Sequence, residues 1–414
     1  MPTPFTARVR SLGDRSPLVL VGAAALLLAV ATAIGLALGV WHGYLDLMVY
    51  RLGAQAWLDG DGVYGPLPAL GNGDIHLPFT YPPLAAIVFA PLAALPEAAA
   101  SAVMFVLSLA AIGLTVWLVL DRIRPSTDRG VRFAIVLAVL AAAEYIEPVR
   151  ETLGFGQVNA LLMAAVAFDV LTRSDKWPRG VLIGIAISIK LTPAGFLLLF
   201  LLRKDWRAFA TTIFSTVVAV GVAWLVMPDD SREYWFHKLS ETGRIGAPHF
   251  AGNQSLKGMV FRFGLSESAS TVLWLGLSAI AVVLAAVWMR RLLADGKLAA
   301  ALMVNAAAIL LVSPISWSHH WVWVVPALLI AVNAVAVNKA ATGHRDRWLT
   351  AAIALTVVLF YVGPHWLLPA RDDLELTWTW WQQIIGASYV IVTVAVIAVG
   401  AWHARDAARV TARR

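Results

Sequence analysis

The sequence predicts an all-α polytopic membrane protein of about twelve membrane-spanning or half-spanning helices, with surface helices on its outer face. Three observations carry that expectation. Of the 414 residues, 60% are hydrophobic and 14% charged, whereas an ordinary soluble domain carries about a quarter charged residues. The mean hydropathy is +0.75. Apolar stretches near 20 residues, the length an α-helix needs to cross a bilayer, recur between short polar connections.

The first apolar stretch, 18–40, has no small-residue cleavage site before Trp41-His42 and reads as an anchor rather than a removed signal peptide. Further spans are expected at 97–120, 131–146, 157–172, 208–227, 271–289, 298–314, 320–337, 348–366 and 382–402. Two segments do not fit a simple span. Residues 180–203 are interrupted by Lys190-Leu191-Thr192-Pro193, which favours two half-helices that dip in and return. Residues 82–95 rise roughly 21 Å against a hydrocarbon core of about 30 Å, and so read as a helix lying on the outer surface. No repeat or low-complexity linker divides the chain, so 1–414 reads as one membrane domain.

Charge tests this layout independently. With the N-terminus inside, the cytoplasmic connections collect the Lys and Arg residues, as the positive-inside rule requires. The exceptions are Arg51, Arg150, Lys190, Arg232, Lys238, Arg244, Lys257, Arg262 and Arg371. Making 82–95 a full span would put Arg122, Arg124 and Arg129 outside. The expectation is a plasma-membrane protein with both termini cytoplasmic. Its long loops, 41–96 and 228–270, are then periplasmic, with shorter ones at 144–156, 315–319 and 367–381. The net charge of +7 is spread over short loops, which fits orientation in a membrane and not nucleic-acid binding. There are no cysteines, and no HExxH-like spacing is present, so neither a cofactor nor a metal site is expected.

The outer loops hold the candidate chemistry. Asp46 follows the first span in a segment where Leu45, Met48, Val49, Leu52 and Ala56 would form an apolar helical stripe, with Tyr50, Gly53 and Trp57 beside the acid. It reads equally as a working carboxylate at the bilayer surface or as a helix N-terminal acid favoured by the dipole. His76, Phe79 and Tyr81, before Pro82-Pro83, are candidate lining for a sugar or lipid site, although a rigid turn explains the prolines alone. Lys190 is buried in an apolar run, where a lysine costs about 2.5–3.5 kcal/mol. It needs a partner acid or an anionic ligand such as phosphate. In 144–156, Glu144, Glu147, Arg150 and Glu151 could supply sugar-hydroxyl or acceptor-phosphate contacts, but a mixed-charge loop is most simply a solvated one. Gln157 and Asn159 open the next span and point into the bundle. His319 and His320 sit at an outer mouth, one of them a candidate phosphate donor, among Trp317, Trp321 and Trp323, which also suit an interfacial belt. Asn253 and Lys257 are a weak polar set in the second long loop.

The segments DLMVYRLGAQAWLDG, LPFTYPPLAAIVFAPLAALP, GFGQVNALL, IKLTPAGFLLLFLLRK, GNQSLKG and SPISWSHHWVWVVP occur in this order over nearly the whole chain. Together they resemble the actinobacterial membrane mannosyltransferases of glycosyltransferase family 87. The resemblance implies a GT-C bundle with its active site at the outer boundary. It implies a polyprenyl-phosphate mannose donor, a phosphatidylinositol mannoside acceptor and α-1,2 transfer with inversion. It makes Asp46, in the DLMVY motif, the base that deprotonates the attacking hydroxyl. Lys190 and one of His319 or His320 are assigned to the donor phosphate. His42, His76, Tyr81, Arg150, Gln157 and Asn159 are further candidates for substrate contacts. Branching of lipomannan, arabinofuranosyl transfer from decaprenyl phosphate and, outside enzymes, a lipid-linked sugar flippase are the alternatives.

Overall fold

The computed structural model describes residues 16–70 and 75–412. Asp74 and the terminal Arg8, Arg10, Arg15, Arg413 and Arg414 lie outside the described residues. In chain order the first helices are α1 (Pro17–Ala37), α2 (Leu45–Asp59), α3 (Pro83–Ala93), α4 (Glu97–Ile123), α5 (Arg129–Ala143), α6 (Glu147–Phe155), α7 (Asn159–Leu171), α8 (Val181–Ile189) and α9 (Leu197–Arg203). There follow α10 (Trp206–Val226), α11 (Pro228–Glu233), α12 (Leu256–Phe261), α13 (Glu267–Ala294), α14 (Leu298–Val312), α15 (Val324–Thr342), α16 (Arg347–Val362), α17 (Trp380–Gly386) and α18 (Ser388–Ala412). Short 3-10 turns, Thr192–Phe196 and Ser318–Trp323, lead into α9 and α15. Among the described residues the only β pairings are isolated bridges, Leu70 with Ile75 and Asn253 with Trp317.

Helices α1, α4, α10, α13 and the 318–342 unit are long and apolar enough to cross a membrane. Leu18 and Leu26 on α1, Phe214 and Leu225 on α10 and Val272 on α13 face outward, as lipid-facing side chains do. Helix α4 is central instead, burying Ile112, Val116 and Val119 completely. The shorter α7 and α14, at 13 and 15 residues, rise only about 20–22 Å. Alone, each is shorter than a full crossing of about 30 Å.

Two expected rods are bent. The span expected at 157–172 begins at Asn159, and the loop expected before it is a helix: α6 meets α7 at 115°. The corner is made by Gly156, whose φ of +63° suits glycine. A Cβ there would also sit 2.7 Å from the Cβ of Leu47 on α2. The loop is not solvated either, since Glu144 and Glu147 are fully buried. The expected span 382–402 breaks into α17 and α18 at 72°.

Residues 180–203 form a helical hairpin. Ser188 Oγ reaches Thr216 O at 3.4 Å and Ser215 Oγ donates to Val181 O at 2.8 Å, so α8 runs alongside α10. Helix α9 returns to the start of α10, where Arg179 and Asp205 line one crevice. Lys190 is thus at the tip. Gly180 and Gly184 let the backbones touch, a Cβ at Gly184 falling 2.7 Å from Thr212 O. Close small-residue contact is what holds helices together where lipid removes the hydrophobic drive.

The surface elements differ from the expected stripe in one respect. Helix α2 buries Leu47, Tyr50, Gly53 and Ala54, because α3 and the 79–81 segment cover that side. A Cβ on Gly53 would stand 2.3 Å from the Phe79 ring. Helix α3, of 11 residues, is too short to cross a bilayer.

Candidate functional site

The site forms where the start of α2, the α6–α7 corner, the hairpin tip and the 318–323 turn meet. Tyr44 takes a left-handed conformation, φ +41°, and its N–H donates to Gly154 O at 2.9 Å. That bond locks the entry of α2 to α6 and turns Asp46 toward Gln157. Gln157 Nε2 donates to Asp46 Oδ2 at 2.6 Å. The amide orientation is fixed by its other end, because Gln157 Oε1 accepts from Tyr50 Oη at 2.5 Å, Tyr81 Oη at 3.1 Å and Val158 N at 3.0 Å. Burial keeps both phenols protonated, raising their pKa, so they remain donors.

Asp46 retains 25% of its side-chain surface. Burial pushes its carboxyl up to about 6, against the opposing pull of Lys190 and the Gln157 hydrogen bond.

Two residues along the corner, Asn159 performs the mirror task. Its Oδ1 accepts from Lys190 Nζ at 2.9 Å and its Nδ2 donates to His319 O at 3.2 Å. Lys190 Nζ also lies 3.2 Å from His320 Nε2 and 5.4 Å from the centre of the Tyr81 ring. Its hydrogen-bond partners are therefore an amide and an imidazole, not a carboxylate, and Asp46 acts on it through space. His320 Nε2 serves as an acceptor toward the ammonium, so a proton it offers elsewhere is on Nδ1. His319 Nε2 points at Asp46 Oδ2 from 3.9 Å and has no hydrogen-bond partner. Both histidines face the group, their rings 4.8 Å apart.

The 318–323 turn is held from two sides. Thr152 Oγ1 donates to His319 O at 2.9 Å. Asn253, fully buried, accepts from Ser316 N at 3.0 Å and donates to Pro248 O and Pro314 O at 2.8 and 3.2 Å. The weak polar signal at Asn253 thus marks a clasp, while Lys257 stacks over Phe261 and Trp274 away from the group. Trp321 is buried against Phe360 and Tyr389 and Trp323 lines a crevice, so neither belongs to an interfacial belt.

That crevice opens beneath His320 and Asn159, with about 490 Å³ of empty space. Its walls are mostly apolar, with Leu162, Met163, Val166, Phe196, Ile309 and Leu310 beside the hydroxyl-bearing Thr192, Ser313 and Ser316.

Asp46, Tyr81, Gln157, Asn159, Lys190, His319 and His320 are brought together. Three candidates stand apart. His42 is exposed and its Nδ1 lies 2.8 Å from Gly39 O. His76 is exposed with Nδ1 3.1 Å from Leu67 O. Arg150 pairs with Glu151 at 3.3 Å. Tyr50 completes the group; its i, i+4 spacing from Asp46 was the available signal. Among the described residues no set of three or more His, Asp or Glu side chains is arranged to hold a metal. The arrangement offers one carboxylate and one ammonium, held by Gln157 and Asn159 two residues apart, beside a crevice.

A model of glycosyltransferase family 87 matches residues 79–314. The chain is 38% identical over 367 residues to a polyprenol-phosphate-mannose-dependent alpha-(1-2)-phosphatidylinositol mannoside mannosyltransferase of Mycobacterium tuberculosis, covering 86% of this chain and 84% of that protein. It is 39% identical to the protein of the same description from Mycolicibacterium smegmatis, covering 86% and 83%. An alpha-(1->3)-arabinofuranosyltransferase of Corynebacterium glutamicum is 30% identical over only 45% of the chain and 44% of that protein. No solved structure matches the chain.

Proposed function

The chain belongs to glycosyltransferase family 87, and from that membership we propose that it transfers mannose from polyprenyl-phosphate mannose to a phosphatidylinositol mannoside, forming an α-1,2 linkage with inversion. The observation that carries the residue assignment is the pairing at the α6–α7 corner: Gln157 holds the Asp46 carboxylate and Asn159 holds the Lys190 ammonium. Arabinofuranosyl transfer is the weaker reading, because the relatives of that description match only about half of the chain, at 28–30% identity.

A polyprenyl phosphate is already a good leaving group, so two tasks remain. The acceptor hydroxyl must lose its proton as its oxygen bonds to C1 of mannose, and the phosphate must be stabilised as the C1–O bond breaks. Asp46 takes the proton. Its raised basicity makes it a stronger acceptor while leaving it ionised at neutral pH. Lys190 meets the departing phosphate with a charge that no hydrogen-bonded carboxylate neutralises. His320, 3.2 Å from Lys190, is a further polar group on that side, and the unpartnered His319 Nε2 lies toward Asp46. The mostly apolar crevice beneath His320 suits the first isoprene units of the donor, and burying the lipid there would orient C1 toward Asp46.

The working end faces the periplasm in this reading, with both termini cytoplasmic. The opposite end carries Arg122, Arg173, Arg179, Arg203, Arg207, Arg290, Arg291 and Lys297 in its helix ends and connections, as the positive-inside rule asks. The test is incubation of purified protein with labelled polyprenyl-phosphate mannose and a phosphatidylinositol mannoside. A product with one more α-1,2-linked mannose is expected. Movement of the donor across vesicles without any product would make the protein a flippase instead.

A further inference from the structure

At the end of the bundle remote from Asp46, the two arms of the hairpin start and finish beside one another. Arg179 precedes α8 and Arg203 closes α9. Arg122, from the last turn of α4, joins them: its Nε donates to Leu171 O at 2.7 Å and its Nη2 to Thr172 O at 2.8 Å. Arg179 Nη2 donates to the same Thr172 carbonyl at 3.2 Å. Arg122 lies within electrostatic range of Arg173, Arg179 and Arg203. Cations gathered this closely repel one another unless an anion is shared among them.

Two of the nearby carboxylates, Asp121 and Asp205, are already engaged, while Asp175 lies at the crevice itself. Asp121 accepts from both Arg132 and Arg173 at 2.6 Å. Asp205 caps α10 through Ala208 N at 3.1 Å and stands 3.9 Å from Arg203. Arg179 Nε and Arg203 Nη1 are shielded from solvent with no hydrogen-bond partner, a state that costs free energy until an acceptor arrives. Beside them opens a crevice with about 470 Å³ of empty space, whose lining includes Asp175, Lys176, Arg179, Asp205, Arg207 and Thr211. Cations that merely orient a protein in the bilayer need only lie in a loop. They need neither a crevice nor convergent guanidiniums with idle donors.

We propose that this crevice binds a phosphate group through Arg179 and Arg207, with Arg122 and Arg203 adding charge behind them. The planar fork of arginine matches phosphate oxygens in pairs. The phosphate can come from an anionic lipid headgroup in the adjoining leaflet or from a soluble phosphate compound. An occupant joins the start of α8 to the start of α10, at the base of the hairpin that carries Lys190 at its tip, so binding stiffens that element. The proposal is independent of the assignment of Asp46.

Thermal unfolding of the full-length protein in a neutral detergent tests it, titrated in turn with dioctanoyl phosphatidylglycerol, dioctanoylglycerol and inorganic phosphate. A phosphate-bearing probe is expected to raise the wild-type midpoint saturably, and dioctanoylglycerol to leave it unchanged. The R179Q/R207Q double variant is expected to need at least tenfold more of the same probe. Phosphatidylglycerol acting well below the concentration of inorganic phosphate supports a lipid source; equal potency supports a soluble one. Should the double variant fail to fold, R207Q alone, at an exposed position, serves as the comparison and is expected to weaken binding at least threefold. No shift of the wild type by any phosphate probe, or equal shifts in wild type and variant, would overturn the proposal.

Discussion

The first turns of α2 and α6 each carry one carboxylate withdrawn from bulk water, Asp46 and Glu147. Glu147 has no exposed side-chain surface. One of its oxygens accepts from Trp366 Nε1 at 2.7 Å, the other from Tyr389 Oη at 2.8 Å, and His365 Nε2 stands 3.7 Å away. Asp46 keeps a quarter of its surface, and among the described residues its hydrogen bond comes from Gln157. A carboxylate whose two oxygens are both committed to fixed donors is a structural post. One with a single donor, partial burial and a cation in range is ready to take a proton. Both are acids in the first turn of a helix; the number and origin of the donors separate them.

Several substitutions can break that contrast, taken here from the largest expected effect. D46N should lower kcat by about 10³-fold or more, as loss of a base does, with unchanged expression and unfolding midpoint. Next, K190Q should cost roughly 10²–10³-fold in kcat if the ammonium meets the leaving phosphate, measured at saturating donor. Q157L should cost about tenfold and move the acid limb of the kcat–pH profile to higher pH. The sign follows from the Gln157 hydrogen bond, which lowers the Asp46 pKa, so its removal raises it. E147Q should leave kcat within a few-fold while destabilising the fold by about 1–3 kcal/mol, read as a lower unfolding midpoint. An E147Q protein of full stability with lost turnover would erase the distinction between the two acids.

Much of this was legible in the sequence. Hydropathy located the long spans, and the Lys190–Pro193 interruption marked the hairpin, because proline and a buried charge act locally. Asp46, Gln157, Asn159, Lys190 and both histidines were candidates for similar reasons: each is a polar group beside or within an apolar run. What the chain did not reveal depends on distant partners. Glu147 was read as solvated because Trp366 and Tyr389, which bury it, lie more than 200 positions away. The clasp from Asn253 to Ser316 spans 63 positions. The α6–α7 corner rests on the positive φ of Gly156 and its contact with Leu47, and a single glycine in a polar segment does not announce a 115° turn.

The sharpest measurement is kcat against pH for the wild type and D46N side by side, at saturating donor and acceptor. Proton abstraction by Asp46 predicts a wild-type rate that falls as pH drops through about 6, in step with loss of its charge. The residual D46N rate should show no such limb. The same limb persisting in D46N would place the titrating base elsewhere and contradict the account.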